Sequence, residues 1–161
     1  MKICVLFDSQ TGNTKMLADV IQETYQTDLV EDPTQADLVF LGSWTDKGSC
    51  SPAIQEAAAK LKDKQVFLFG TCGFGGSASY YEQIFQRTAA LLPPGNRIIG
   101  HFYCQGKMPA SVKARYLAML QQDPENQRLQ MSLENFDKVS SHPDQSDLQH
   151  LRDVLRTLSL S

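Results

Sequence analysis

Seven consecutive residues near the start of the chain, Asp8-Ser9-Gln10-Thr11-Gly12-Asn13-Thr14, hold an unusual density of binding chemistry. Ser9, Thr11, Asn13 and Thr14 bring short hydroxyl and amide side chains to one point. Gly12 lets the backbone approach a ligand closely or take a positive φ. The run follows an apolar stretch, Ile3 to Phe7, and precedes Leu17, Val20, Ile21 and Tyr25, which recur at helical spacing. It therefore joins a strand to the N-terminus of a helix. Such an end leaves backbone N–H groups without partners and carries partial positive charge. Together these residues predict a cradle for a phosphate that uses no lysine or arginine. Lys15 follows a threonine, so the G-x-x-x-x-G-K-[ST] pattern of triphosphate loops is absent. A single phosphate monoester suits the run better. A well-capped turn also favours Ser, Thr and Asn. Four such residues and a glycine within seven positions exceed what capping needs.

Two later segments carry chemistry suited to a flat ligand. Ser43-Trp44-Thr45-Asp46-Lys47-Gly48-Ser49 holds the only tryptophan of the chain. Trp44 there is either a lid over the core or a wall against a planar ring, since aromatic stacking adds about 0.5–1.5 kcal/mol to simple burial. Gly70 to Tyr81 is rich in glycine. In it the backbone of Thr71, Cys72, Gly73, Phe74 and Gly75 is free to read polar ring edges, and Tyr80 or Tyr81 is available to stack. Gly73 to Ala78 also fits G-x-G-x-x-A. A dinucleotide site needs an acid about 20 residues further on, at the end of the next strand. That strand ends Phe102-Tyr103-Cys104-Gln105, so the dinucleotide reading fails. Asp8 invites a phospho-acceptor reading, but the further acids that chemistry needs are missing, and Ser9 to Thr14 would be surplus to it.

These segments need a scaffold that brings them together. Strands are predicted at Lys2–Phe7, Thr27–Val30, Ala36–Gly42, Gln65–Gly70 and Arg97–Cys104. Helices are predicted at Asn13–Tyr25, from Ser51-Pro52 to about Lys62, and at Ser79–Leu92. The first, third and fourth strands are apolar at successive positions, as in a parallel sheet covered on both faces. Right-handed crossovers then give a doubly wound α/β sheet. Ligands of such sheets bind at the carboxyl ends of the strands, where the three segments above begin. Gln105 to Ser141 is less regular, with amphipathic helices expected at Ser111–Gln122 and Glu125–Phe136. Leu148, Leu151, Val154, Leu155 and Leu158 mark a last helix over Asp144–Leu158. One domain over residues 1–161 is expected, with an irregular or helical insertion at about 105–143.

Composition excludes several other classes. The chain has 161 residues, 42% hydrophobic and 20% charged, which suits an ordinary globular core. Its net charge of −3 gives no nucleic-acid footprint. No apolar run is long enough to span a bilayer. The start, Met1-Lys2-Ile3-Cys4, reads as entry into a core strand and not as a secretory leader. The expectation is a cytoplasmic protein with reduced thiols. Cys4, Cys50, Cys72 and Cys104 form no C-x-x-C pair, and the three histidines are scattered, so no metal site is expected. No constellation of acid, base and nucleophile stands out.

Val5-Leu6-Phe7-Asp8-Ser9-Gln10-Thr11-Gly12-Asn13-Thr14, with Ala18 and Ile21 behind it, resembles the phosphate loop of flavodoxins. The resemblance implies a three-layer sandwich around a five-stranded parallel sheet of order 2-1-3-4-5. It implies FMN at the carboxyl ends of the strands, with Ser9, Gln10, Thr11, Asn13 and Thr14 on the phosphate. The loop Trp44 to Gly48 and the loop from Thr71 to Gly75, with Tyr80 or Tyr81, are the implied ring contacts. The second of these loops lacks the acid that many flavodoxins carry. The blocks Trp-x-Asp-Lys-Gly (44 to 48), Cys-Gln-Gly-Lys-Met (104 to 108), Asn135-Phe136-Asp137 and His142-Pro143 resemble a subfamily that accompanies bacterial bilirubin reductases. The implied role is electron transfer between a reductase and a redox partner. Its alternatives are an accessory electron-donating subunit of a larger reductase and an FMN-dependent NAD(P)H or quinone reductase. A monomer or weak dimer is expected, acting without nucleic acid or membrane.

Overall fold

A computed structural model describes residues 1–73, 77–158 and 160. Phe74 and Gly75, with the middle of the Gly73–Ala78 pattern, lie outside the described residues. The chain opens with β1 (Ile3–Asp8) and α1 (Asn13–Thr24), passes a 3-10 turn at Pro33–Gln35, and enters β2 (Leu38–Asp46). A short β3 (Ser49–Cys50) precedes α2 (Pro52–Ala59), β4 (Gln65–Cys72), α3 (Ala78–Ala89) and β5 (Arg97–Gln105). Three helices follow: α4 (Ala110–Gln122), α5 (Gln127–Val139) and α6 (Gln145–Thr157).

The strands pair in the order β1-β2-β4-β5, each neighbour parallel. Thr27–Val30, expected as a full strand, is a single parallel bridge from Leu29 to Ile3 outside β1. Ile3 N–H donates to Asp28 O and Val30 N–H to Ile3 O, which fixes that outer position. In sequence numbering this is the expected order 2-1-3-4-5. The strand is short for a physical reason. Leu29 is 37% exposed, so its side chain is only partly covered. Two residues beyond Glu31, Pro33 starts the 3-10 turn that Asp32 caps, and proline has no N–H to give a ladder.

Alternation along β2 and β4 builds two cores. Leu38, Phe40, Phe67 and Phe69 face α1 and α6, packing on Leu17, Ile21, Leu151 and Leu155. Val39, Leu41, Val66 and Leu68 face the other way, onto Ile54, Ala58 and Leu61 of the α2 region. Burial on both faces explains the unbroken apolar runs. Gly42 lies where the ring of Phe69 crosses the sheet: a Cβ there would stand 2.2 Å from that ring.

Element ends follow local chemistry. Ser51 caps α2 with Pro52 in its first turn, as expected. The helix stops at Ala59 and not near Lys62: the N–H groups of Lys60 and Leu61 tighten to the carbonyls of Ala57 and Ala58, and Asp63 takes φ 53. The third helix stops at Ala89, short of Leu92, ahead of Pro93-Pro94. Asp144 and Asp147 form a reciprocal capping box at the start of α6. The largest departure from expectation is β2, which continues through Trp44, Thr45 and Asp46. Lys47 (φ 51) and Gly48 (φ 79) close a two-residue hairpin onto β3. Positive φ at both positions matches the strand twist, and glycine tolerates it best.

Gly42→Ala is expected to destabilise the protein by about 1–3 kcal/mol, since the Phe69 ring has no room to move. A urea titration reads this as a lower midpoint at unchanged slope.

Candidate functional site

The carboxyl ends of β1, β2, β4 and β5 surround a cavity of about 660 Å³. That size is ordinary for a cofactor pocket. Gln10, Thr11 and Asn13 border it from the loop after β1. Trp44, Thr45, Asp46, Lys47 and Gly48 border it from the β2–β3 hairpin. Thr71, Cys72 and Gly73 come from the end of β4, and Tyr80 from α3. Ser9, Gly12, Thr14 and Tyr81 do not line it, and each has a visible occupation or position. Ser9 Oγ accepts from Lys15 N–H at 3.2 Å. Thr14 is buried beneath the loop, its hydroxyl 3.1 Å from that of Thr71. Tyr81 lies half-buried beside Tyr80, outside the cavity wall.

Gly12 is the N-cap of α1, at φ 86. Gly12 itself offers no side-chain cap, and among the described residues Ser9 Oγ takes only the third N–H of the helix, that of Lys15, so most of the partial positive charge of the end is left for something else. Open space lies beside Gly12: apart from its immediate chain neighbours, no atom of the described residues comes within 4 Å of the position a Cβ would take. Asn13, 6% exposed, turns its Nδ2 to the carbonyl of Lys107 at 2.7 Å. Its Oδ1 is buried and has no partner among the described residues. A buried acceptor without a donor is costly, about 1–3 kcal/mol. Such an atom points to a missing donor from a ligand or water.

Among the described residues, the Trp44 indole is held by a single polar contact. Its Nε1 donates to Asp8 Oδ2 at 3.0 Å, across the β1–β2 register. Thr45 Oγ1 donates to Thr71 O at 2.9 Å and ties the hairpin to β4. Arg87 of α3 donates through Nη1 to Gly48 O at 2.7 Å and fixes the hairpin tip. Lys47 stands exposed at that tip. Cys72 is deeply buried, and burial pushes its thiol up to about 12, so it stays neutral and unreactive at ordinary pH.

One wall was not foreseen. Lys107, Met108 and Pro109 after β5, and Val112, Arg115 and Tyr116 on α4, complete the cavity. The last three recur at i, i+3 and i+4, which puts them on one helix face. That spacing was visible, but nothing in it said that the face turns toward the sheet edge. The wall is tightly seated. A Cβ on Gly106 would lie 2.6 Å from Asn13 Nδ2, and one on Gly73 would lie 2.5 Å from Met108. Asn135 of α5 donates to Gly73 O at 3.0 Å.

A family model for the flavodoxin domain matches residues 4–156. The chain belongs to the flavodoxin domain family. Two curated relatives extend the match. The flavodoxin-like domain-containing protein BilS of Clostridioides difficile (strain CD3) is 36% identical over 159 residues, covering 92% of this chain and 90% of its own. BilS of Clostridium symbiosum (strain WAL-14163) is 31% identical over 172 residues, with the same 92% and 90% coverage. Among solved structures, oxidised flavodoxin 2 of Bacillus cereus superposes with a TM-score of 0.51 at 15% identity, over 96% of this chain and 94% of its own. A WrbA-like flavodoxin of Agrobacterium tumefaciens gives 0.51 at 16%, over 94% and 98%. These two show the shared fold. Among the described residues, no helix of this flavodoxin-family chain is long and apolar enough to cross a membrane.

All four cysteines of this flavodoxin-family chain are buried and free. A thiol reagent at pH 8 is expected to leave the native protein unlabelled over minutes and to titrate four thiols once guanidinium unfolds it. Rapid labelling of the native protein would show that the fold opens around at least one of these thiols.

Proposed function

We propose that the chain binds FMN non-covalently in this cavity and passes electrons between a reductase and a redox partner. The largely open N-terminus of α1 at Gly12, beside the orphaned Oδ1 of Asn13, carries the reading. An N-terminus at which a side chain takes only the third N–H suits the phosphate of the nucleotide. An acceptor with no donor suits a ribityl hydroxyl, which can donate. Trp44 and Tyr80 supply aromatic faces on the same cavity. Backbone groups of Thr71, Cys72 and Gly73 are available to the polar edge of the ring. Phe74 and Gly75 belong to the same proposed contact set from the sequence alone.

When bound, FMN supplies the one- and two-electron chemistry. The chain's own contribution is positional and electrostatic. Asp8 holds the Trp44 indole at a fixed height above the sheet edge. The buried pair Thr14–Thr71 stiffens the floor without offering an ionisable group. Met108, Val112 and Tyr116 limit water on the α4 side. We place this work in the cytoplasm, in one domain carrying α4 and α5 as its insertion, in a chain that is a monomer or weak dimer.

A second reading has support of its own. The relatives named BilS, at 36% and 31% identity, favour an accessory role beside a larger reductase, such as a bilirubin reductase. Here the same flavin would hand its electrons to that enzyme. Copurification with a reductase, and little turnover alone, separates this reading from a freely diffusing carrier.

The purified protein is expected to be yellow or to become so with FMN, quenching flavin fluorescence at one equivalent. A colourless protein that leaves FMN fluorescence unchanged overturns the proposal. Trp44→Ala is expected to weaken FMN binding about tenfold, the equivalent of roughly 1.4 kcal/mol of lost stacking and burial. Lys47→Gln removes a positive charge from the hairpin tip, which disfavours the more negative reduced cofactor. Its midpoint potential is expected to fall, by up to about 59 mV for a one-electron couple. A potentiometric titration reads the shift, and an unchanged or raised potential would contradict it.

A further inference from the structure

The loop after β1 contains no cation that is free to meet a phosphate. Lys15, its one neighbour in sequence, pairs with Asp19 at 3.0 Å on the outer face of α1. The structure brings another lysine to the same place from 94 residues away. The peptide of Lys107 is clamped on both sides. Its N–H donates to His142 O at 2.9 Å. Its carbonyl accepts from Asn13 Nδ2 at 2.7 Å and from Thr11 Oγ1 at 3.3 Å. His142 is itself fixed, with Nδ1 2.6 Å from Asp147 Oδ2 in the capping box of α6. Gly106 has to be small for this approach, because a Cβ there would strike the Asn13 amide.

The backbone of Lys107 therefore sits against the two side chains that the sequence marks for a phosphate. Its own side chain is exposed and borders the cavity with them. Among the described residues, no acid pairs with its ammonium. A free cation projecting from a rigid point beside a largely open helix end has one evident use. We propose that Lys107 is the cationic partner of the flavin phosphate, supplied by the segment after β5 and not by the phosphate loop itself. The inference rests on the FMN reading and deepens it: the site would distinguish FMN from riboflavin partly through this charge.

The experiment compares FMN with riboflavin, which lacks only the phosphate. Both are titrated by fluorescence quenching against wild type, Lys107→Gln, Lys107→Arg, Lys15→Gln and Arg115→Gln, at low and high salt. Lys107→Gln keeps the clamped peptide, so the fold is retained. It is expected to bind FMN roughly tenfold more weakly, a modest charge-assisted contact, with riboflavin unchanged. Lys107→Arg is expected to restore most of the difference, and Lys15→Gln to leave it intact. High salt is expected to narrow the FMN preference of wild type but not that of Lys107→Gln. An unchanged FMN-to-riboflavin ratio in Lys107→Gln overturns the inference while leaving FMN binding in place. A selective loss in Arg115→Gln with none in Lys107→Gln moves the charge to α4 and also overturns it. Failure of wild type to bind either flavin overturns the FMN reading itself, and this inference with it.

Discussion

The start of α1 governs how this molecule is built. A helix that begins at the carboxyl edge of a parallel sheet must do something with its first N–H groups. Here a glycine at φ 86 begins it and brings no side-chain cap of its own. Ser9 satisfies only the N–H of Lys15. Every nearby feature accommodates that open end. Thr14 is buried against Thr71, Asn13 is pressed under the Lys107 carbonyl, and Gly106 makes room for it. The FMN reading draws on the same end. Fixed dipoles and a shaped cavity are what a bound redox cofactor asks of a protein.

Rigidity around the opening comes from ties between loops that are distant in sequence. The hairpin tip is held by Arg87, its base by Thr45 to Thr71, and its indole by Asp8. The far wall is held by Lys107 to His142 and by Asn135 to Gly73. Each tie is a modest hydrogen bond of about 1 kcal/mol. Their number matters more than the strength of any one, because together they leave each loop little freedom. Side chains on loops positioned by a rigid sheet are a common way to place binding groups. Helices α4 and α5 extend that principle by adding a wall beyond the sheet.

Much of this was legible in the residues. The run Ser9 to Thr14 could be assigned to a strand-to-helix turn from residue types alone. The double burial of β2 and β4 followed from their unbroken apolar runs. Other features were hidden for definite reasons. Trp44, Thr45 and Asp46 look like loop residues because the turn signal, Lys47-Gly48, contains only one glycine. The strand continues through them because Thr45 pairs with Cys50 and Trp44 with Thr71. Thr27–Val30 has the local content of a strand, but pairing also depends on what covers it, and Leu29 is only partly covered. The wall formed by Val112, Arg115 and Tyr116 depends on a clamp between residues 94 apart, and no local pattern encodes such a contact. Choosing between Tyr80 and Tyr81 required the phase of α3, and Tyr80 is the one at the cavity.

The most direct test of the central claim is phosphorus-31 NMR of the protein with FMN added, followed from pH 5 to pH 8. A phosphate monoester free in water titrates near pH 6. A phosphate seated on the α1 N-terminus is held as the dianion. The bound phosphate is expected to give a separate resonance whose position is constant across that range. A single resonance that titrates as the free nucleotide does would contradict it.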